Sequence, residues 1–381
     1  MRPASDAERR RLNDTFAQLC AIPSPFGREH AMAEAVTGEL RALGLAVEED
    51  GAAAECGAEC GNLLARIPGR GERTVMLCAH LDTVPEPGIV EPVCVDGAWV
   101  SAGDTILGAD NKAAVAVILE VARRCANSSH RPPPVGLELL FTVSEENALA
   151  GAKVFDVATL RSDWGYVFDH ASPIGEIIVA SPTYYRFDAD FRGTPAHAGI
   201  RPEDGRSAIE AAARAIAAMR LGRIDDETTA NVARIEGGQQ GGTNVVAARC
   251  TVAGETRSLD RSKAEQMVAE LIGHVHDAAN IPACFCDVDV TTQRLFDGYR
   301  HPPSAPAVLA AEQALRACGY EPTRRSTGGG SDANAFEAAG LHCTNLANGT
   351  ERNHEPDERV SVAALEGMLD VAYALLDACS A

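Results

Sequence analysis

Six side chains able to bind a metal or move a proton stand where apolar runs end. His80 and Asp82 follow the run TVMLCA, and Asp110 stands just before a predicted helix, one residue ahead of KAAVAVILEVARRCA. Glu145 and Glu146 come one serine after LELLFTV, and Asp169 closes WGYVF. In an open α/β sheet, ligands bind beyond the carboxyl ends of the strands. Five carboxylates and one imidazole are therefore expected on a single rim. That much negative charge does not gather without a cation. Imidazole and carboxylate donors, with no convincing cysteine among them, suit zinc, cobalt or manganese better than a thiolate-preferring metal. Each residue has a plainer role when taken alone. Asp82 and Asp169 are ordinary turn residues, Asp110 a helix N-cap, and Glu145 and Glu146 solvated loop acids. Their recurrence at successive strand ends favours the metal reading.

The elements that must position these residues follow from patterning. From Asp6 to Leu45 the pattern is two helices broken at IPSPFG. NLLARIPG, TVMLCAHLD and PVCVDGAWV read as strands, and KAAVAVILEVARRCA as a buried helix. The three prolines of NSSHRPPP make it a loop. LELLFTV is an apolar run too short for a typical helix and reads as a buried strand. GAKVFDVATL reads as a helix and WGYVFDH as a strand. Strands alternating with helices predict an α/β sheet with covered faces.

Near Ser181 the texture changes. YYRFDADFRG alternates as a strand with one wet face does, and SAIEAAARAIAAMRLG is a long Ala-rich helix. TANVARIEGG, TNVVAARCTVAGETRSL and ACFCDVDVTTQRL read as further strands, with the helix SKAEQMVAELIGHVHDAAN before the last. From about Phe296 the α/β texture returns, through PAVLAAEQALRACG, HCTNLA and VAALEGMLDVAYALLDAC. The expected organisation is an α/β domain of residues 1–181 and 295–381, interrupted by an α+β domain at 182–294.

Composition narrows the partners. In 381 residues, 54 Asp and Glu outnumber 34 Lys and Arg, a net charge of −20, which argues against binding a nucleic-acid backbone. No apolar run approaches the ~20 residues that span a bilayer, and MRPASDAERRRLNDTF lacks the apolar core of a signal peptide. A soluble, cytoplasmic protein without a membrane partner is expected. Twelve cysteines then remain reduced, and neither Cys56–Cys60 nor Cys284–Cys286 has a second pair at zinc-ribbon spacing. No G-x-G-x-x-G lies between a strand and a helix, so a dinucleotide-dependent dehydrogenase has no support.

In order along the chain stand AHLDTV, LGADNKAA, FTVSEENALAGA, YVFDH, GTPAHAG, EGGQQGGTNVV, AARCTVAGETRSL, TGGGSDAN and NHEPDE. This ordered series resembles the di-zinc exopeptidases, the family that contains peptidase T, aminoacylase and the glutamate carboxypeptidases. The likeness is greatest to the peptidase T-like branch and covers essentially the whole chain. It implies a catalytic di-zinc domain with an inserted lid and dimerisation domain. It also implies two zinc ions per subunit, replaceable by cobalt or manganese. His80, Asp110 and Asp169 match the ligands of one ion. Asp110, Glu146 and His354 match those of the other, with Asp110 bridging and a cis peptide expected at Asp110–Asn111. A water shared by the two metals is the implied nucleophile. Asp82 matches the acid that orients the ligand imidazole, and Glu145 the general base and acid.

In the inserted domain, His197 matches the histidine that polarises the scissile carbonyl. Asn244 and Arg257 match residues that hold a substrate carboxylate, and Gly329, Gly330 and Ser331 belong to a substrate-facing loop. Two positions depart from the commonest pattern: Asn111 stands where a second Asp is frequent, and Ala113 where Gly is. The implied activity is zinc-dependent hydrolysis of small peptides, as a tripeptidase-like aminopeptidase that can form a homodimer through the lid. The alternatives are an amidohydrolase acting on N-acyl amino acids or other amides, and a non-catalytic binding protein. The latter would normally have lost Glu145, His80 or His354, all of which are present. His30, His170, His274, His276 and His342 are read as structural or surface residues.

Overall fold

A computed structural model describes residues 1–86, 88–126, 132–238 and 242–380. Residues 127–131 of the expected NSSHRPPP loop, and 239–241 within EGGQQGG, lie outside them. The chain divides into two compact units, Met1–Ala180 with His301–Ala381, and Ser181–Arg300.

The first unit is built on a mixed sheet. Four strands run parallel in the spatial order Gly136–Thr142, Thr74–His80, Trp164–His170 and Cys343–Ala347. Leu63–Ile67 and then Val47–Glu49 extend the sheet antiparallel on one side. Glu176–Ser181 pairs antiparallel with Cys343–Ala347 on the other side and carries Thr323–Ser326 parallel beside it.

Alternate residues of a strand face opposite ways, and here both faces are buried. Val75, Leu77, Ala79, Leu139, Phe141, Tyr166 and Phe168 join one core cluster with the helices Asp6–Cys20, Ala109–Ala126 and Val362–Ala378. Met76, Cys78, Leu140 and Val167 are equally buried but belong to the opposite face. There Asp332–Ala338 lies against the sheet, and Phe336 meets Phe155 edge to face at 6.4 Å. Burial on both faces explains why these strands read as continuous apolar runs rather than alternating ones.

Two local features differ from the pattern expected of them. Only the first four residues of GAKVFDVATL are helical, within Ala150–Val154. Asp156 then accepts the Ala158 N–H and caps a separate 3-10 turn, Val157–Thr159, an instance of a short polar side chain competing with the helix for backbone donors. Within PVCVDGAWV the chain reverses at Asp96–Gly97, both at positive φ, so the run is a hairpin of Pro92–Val95 and Ala98–Ser101.

In the second unit an antiparallel sheet has the order Gly222–Arg223, Thr228–Gly237, Arg249–Ser258, Thr183–Arg192, Asp287–Phe296. Phe187, Phe191 and Val252 pack under the helices Ala208–Ala218 and Arg261–Ala279. Ser207 and Asp260 cap those helices through their side chains. The run TNVVAARC becomes a strand only at Arg249. Its earlier residues instead bond to the GTPAHAG segment, with Ala198 N–H donating to Asn244 O and Val246 N–H to Ala196 O.

Among the described residues no helix is long and apolar enough to cross a membrane. All twelve cysteines are free.

Phe141 is fully buried and pairs in register with Ala79, next to His80. Phe141→Ala is expected to destabilise the protein by about 3–5 kcal/mol, read as a lower denaturant midpoint. A change under about 1 kcal/mol would mean that this core layer does not hold the His80 strand.

Candidate metal centre

Because the four central strands are parallel, their carboxyl ends share one rim. His80 ends the strand Thr74–His80, and Asp169 is the penultimate residue of Trp164–His170. Glu145 and Glu146 follow Gly136–Thr142, and His354 follows Cys343–Ala347. Asp110 arrives from the opposite direction, at the head of Ala109–Ala126, where it and Asn111 depart from helical geometry. The Asp110–Asn111 peptide is cis.

Two groups with metal-binding spacing share Asp110: His80, Asp110 and Asp169, and Asp110, Glu146 and His354. His80 Nε2 lies 3.3 Å from Asp110 Oδ1 and 3.6 Å from Asp169 Oδ1. His354 Nε2 lies 3.4 Å from Asp110 Oδ2 and 2.7 Å from Glu146 Oε1. Glu145 stands within the same spacing of His80 and Glu146.

The His80 ring fixes what belongs between these groups. Its Nδ1 is 3.0 Å from the main-chain oxygen of Asp82, which only accepts, so Nδ1 donates. In the neutral ring Nε2 is then a lone pair facing two carboxylate oxygens. Three acceptors face one another, and only a proton or a cation satisfies them.

Electrostatics give the same picture. Burial and the neighbouring Asp169 push the Glu145 carboxyl well above its ordinary range. Burial and Asp110 do the same to Asp169, and burial raises Glu146 against the opposing pull of His354. Burial disfavours charge on Asp110 too, but hydrogen bonds from His354 and His80 hold its carboxyl far below the usual range. Contacts with Asp110 and Glu146 lift His354 to about 10. Without a metal, the site must borrow protons to balance its acids. The donor set, its shared carboxylate and this charge excess fit a pair of divalent cations.

The bend that lets adjacent glutamates serve one site is visible. Ser144 takes φ +54, and Ala148 and Leu149 are also left-handed. Gly151 closes the turn, since a Cβ there would stand 2.2 Å from Val143 O. Asp82 holds the bend: Oδ1 accepts the Glu145 N–H at 3.0 Å and Oδ2 the Glu146 N–H at 2.9 Å. The expected role for Asp82 was to orient His80. The structure places its carboxylate mainly on the glutamate turn, with Oδ1 3.4 Å from His80 Nδ1 and its main-chain oxygen closer.

Several supporting residues escaped the sequence reading. Asn345 pairs with both backbone groups of Asp169, accepting its N–H at 2.9 Å and donating to its oxygen at 3.0 Å. Glu29 accepts from the N–H and the hydroxyl of Ser144 and from Gly27 N–H. IPSPFG is thus a brace as well as a break: Ser24 and Phe26 bond to Thr83 through the main chain. Asn353 donates to Asp110 Oδ2 at 2.8 Å. The buried Lys112, its ammonium lowered to about 8 by desolvation, donates to Ile22 O. A single Asn inside a strand or Glu before a helix carries no sequence signal that marks it as support for such a site. None of the five histidines read as structural joins a metal group among the described residues.

The glycine loop ends in Ser331, which is buried and caps Asp332–Ala338 in a reciprocal box with Asn334. Gly329 N–H donates to Thr327 Oγ1. The loop is anchored by Asp332, whose carboxylate accepts from Thr142 Oγ1, the residue paired with His80.

In the second unit His197 and Asn244 lie on adjoining segments, through the His197–Val245 bridge. His197 Nδ1 accepts the Gly199 N–H at 3.2 Å, which makes Nε2–H the donor of the neutral ring. Arg257 stacks over Tyr184 at 4.0 Å and pairs with Glu255 at 3.0 Å.

A covered α/β sheet with two such groups at the ends of its parallel strands is the architecture of a metallohydrolase. The family described as Peptidase family M20/M25/M40 matches residues 76–378, and the chain belongs to it. It is 34% identical over 371 residues to YqjE of Bacillus subtilis (strain 168), covering 97% of this chain and 98% of that protein. Among solved structures it is similar to the aminopeptidase PepT from Bacillus cereus ATCC 10987, with a TM-score of 0.88 and 35% identity over 98% of this chain and 99% of that one. It is also similar to a tripeptidase from Staphylococcus aureus, with a TM-score of 0.92 and 31% identity over 98% of each chain.

Asn345→Ala removes both bonds to the part-buried backbone groups of Asp169. The expected cost is about 1–3 kcal/mol per group left unpaired, measured by denaturant unfolding with and without added Zn2+. A stability equal to wild type would show that Asp169 is held by other contacts.

Proposed function

We propose that this protein is a zinc-dependent aminopeptidase that removes the first residue from small peptides, with tripeptides as substrates. The observation that carries the reading is the pair of imidazole–carboxylate groups sharing Asp110. The similarity to the Bacillus cereus aminopeptidase and the Staphylococcus aureus tripeptidase supports the substrate class. His80, Asp110 and Asp169 hold one ion, and Asp110, Glu146 and His354 the other. Nitrogen and oxygen donors suit zinc, and cobalt or manganese would substitute.

When bound, paired divalent ions act as Lewis acids on the amide carbonyl and make water a better nucleophile near neutral pH. The protein supplies orientation and proton movement. Asp82 fixes the Glu145 backbone beside the metal groups. The Glu145 carboxylate takes a proton from the attacking water and delivers it to the leaving amine. Its burial beside other acids raises its proton affinity towards what this two-way transfer requires.

In the same reading His197 donates from Nε2–H to the carbonyl oxygen as it gains charge. Its tautomer suits that role. Asn244 and Arg257 bind the terminal carboxylate of the substrate, a task for which the planar guanidinium is adapted. Gly329, Gly330 and Ser331 line the substrate. Residues 182–294 form the lid, and a homodimer through it would appear as a doubled mass in sedimentation; a monomeric mass would remove that part of the reading. Twelve free cysteines agree with a cytoplasmic setting.

The deciding experiment is hydrolysis of a panel by Zn2+-reconstituted protein, with a chelated control. Free tripeptides are expected to lose their first residue only when metal is present. N-acetylated tripeptides, dipeptides and N-acyl amino acids are expected to react poorly. Preferential cleavage of N-acyl amino acids would keep the metal chemistry and discard the aminopeptidase assignment.

Glu145→Ala separates proton transfer from metal binding. It is expected to lower kcat by about 10²–10⁴-fold with two metals still bound by elemental analysis. Loss of metal along with activity would make Glu145 a ligand instead.

A further inference from the structure

We propose that Glu358 is a positioning residue for both metal groups, clamping the loop that delivers Asp110 to the segment that delivers His354. The inference rests on the reading of Asp110 and His354 as metal ligands. NHEPDE holds three acids after the histidine, and the structure separates them sharply. Glu355 and Asp357 are 60% and 56% exposed and pair with Arg352 at the surface. Glu358 is 1% exposed and makes no ion pair among the described contacts.

Both of its oxygens are used on the main chain of the Asp110 loop. Oε2 accepts the Gly108 N–H at 2.7 Å, and Oε1 accepts the Asp110 N–H at 2.9 Å. These donors lie about 250 residues away in sequence. Gly108 sits at φ +73, the left-handed turn that brings alternate amides towards one anion.

The clamp needs a fixed end, and it has one. The next residues, Arg359–Ser361, form a strand pairing with Ala98–Ser101 on one side and, through Arg359 and Val360, with Thr350–Glu351 on the other. Val360 is fully buried in the main core. Thr350 and Glu351 in turn lead directly into the turn that carries Asn353 and His354. Asn353 adds a second tie by donating to Asp110 Oδ2. One carboxylate thus sets the distance between the shared aspartate and the histidine of the second group, without touching either ion site itself.

The side chain's chemistry makes this testable. A glutamine in its place keeps one acceptor but points an NH2 donor at a backbone N–H. An aspartate keeps the charge but is one methylene short. The experiment is a Co2+ titration of chelated wild type, Glu358→Gln, Glu358→Asp and the surface control Glu355→Gln. Visible absorption reports the ligand field, and far-UV circular dichroism the fold.

Wild type and Glu355→Gln are expected to take two equivalents with the same spectrum. Both Glu358 variants are expected to fold, to bind Co2+ roughly 10–100-fold more weakly, and to show a shifted visible band, which loss of stability alone would not produce. A folded Glu358 variant with the wild-type isotherm and band would overturn the proposal. So would failure of both variants to fold, which would make Glu358 a residue of the fold alone. Wild type that takes up no Co2+ would instead remove the metal reading on which the inference stands.

Discussion

The Asp110 carboxylate presents its two oxygens to two different histidines, and the rest of the rim is arranged around that division. Asp169 and Glu146 complete the two sides. Burial, and then the neighbouring acids, raise the proton affinity of Glu145, Glu146 and Asp169, while the two histidines hold Asp110 charged. The surrounding protein must therefore hold the site together against its own charge until a cation arrives.

It does so through the main chain. Asp82, Asn345, Glu29 and Glu358 are buried polar side chains that bond to backbone groups of the segments bearing Glu145, Glu146, Asp169 and Asp110. Loops that leave the ends of strands carry amides with no ladder partner, and buried amides need one. Satisfying them with acceptor side chains from distant parts of the chain settles two matters at once. The amides are paired, and the loops are pinned to the sheet. The left-handed Ser144 and His354 are retained within that frame, each costing on the order of 1 kcal/mol.

The second unit follows the same economy of means. His197 and Asn244 come together because residues 244–248 bond to the GTPAHAG segment instead of extending the following strand. Arg257 is oriented by stacking on Tyr184 and by Glu255 two residues earlier on its own strand. A long cation on a sheet would otherwise sample many rotamers; stacked and paired, it offers its charge in a narrow range of directions.

Much of this was legible in the residues. Apolar runs doubly buried in the sheet had to be strands or buried helices. Their polar ends had to share a rim once the strands ran parallel. That His80, Glu145, Glu146 and Asp169 come near one another is legible in sequence, because strand-end position and side-chain type are both local properties; Asp110 meets them from the head of a helix. The ordered motifs extend this to His354 and to the family. The sequence does not determine which acid binds what. Glu355, Asp357 and Glu358 look alike in a row, and only Glu358 points inward, because the strand after it is paired on both sides. Asp82 reads as a partner of His80 and stands 3.4 Å from its Nδ1, and its oxygens also reach the amides of a turn 63 residues away. Such choices depend on contacts between distant segments, and those exist only after the sheet has assembled. Tertiary structure decided them.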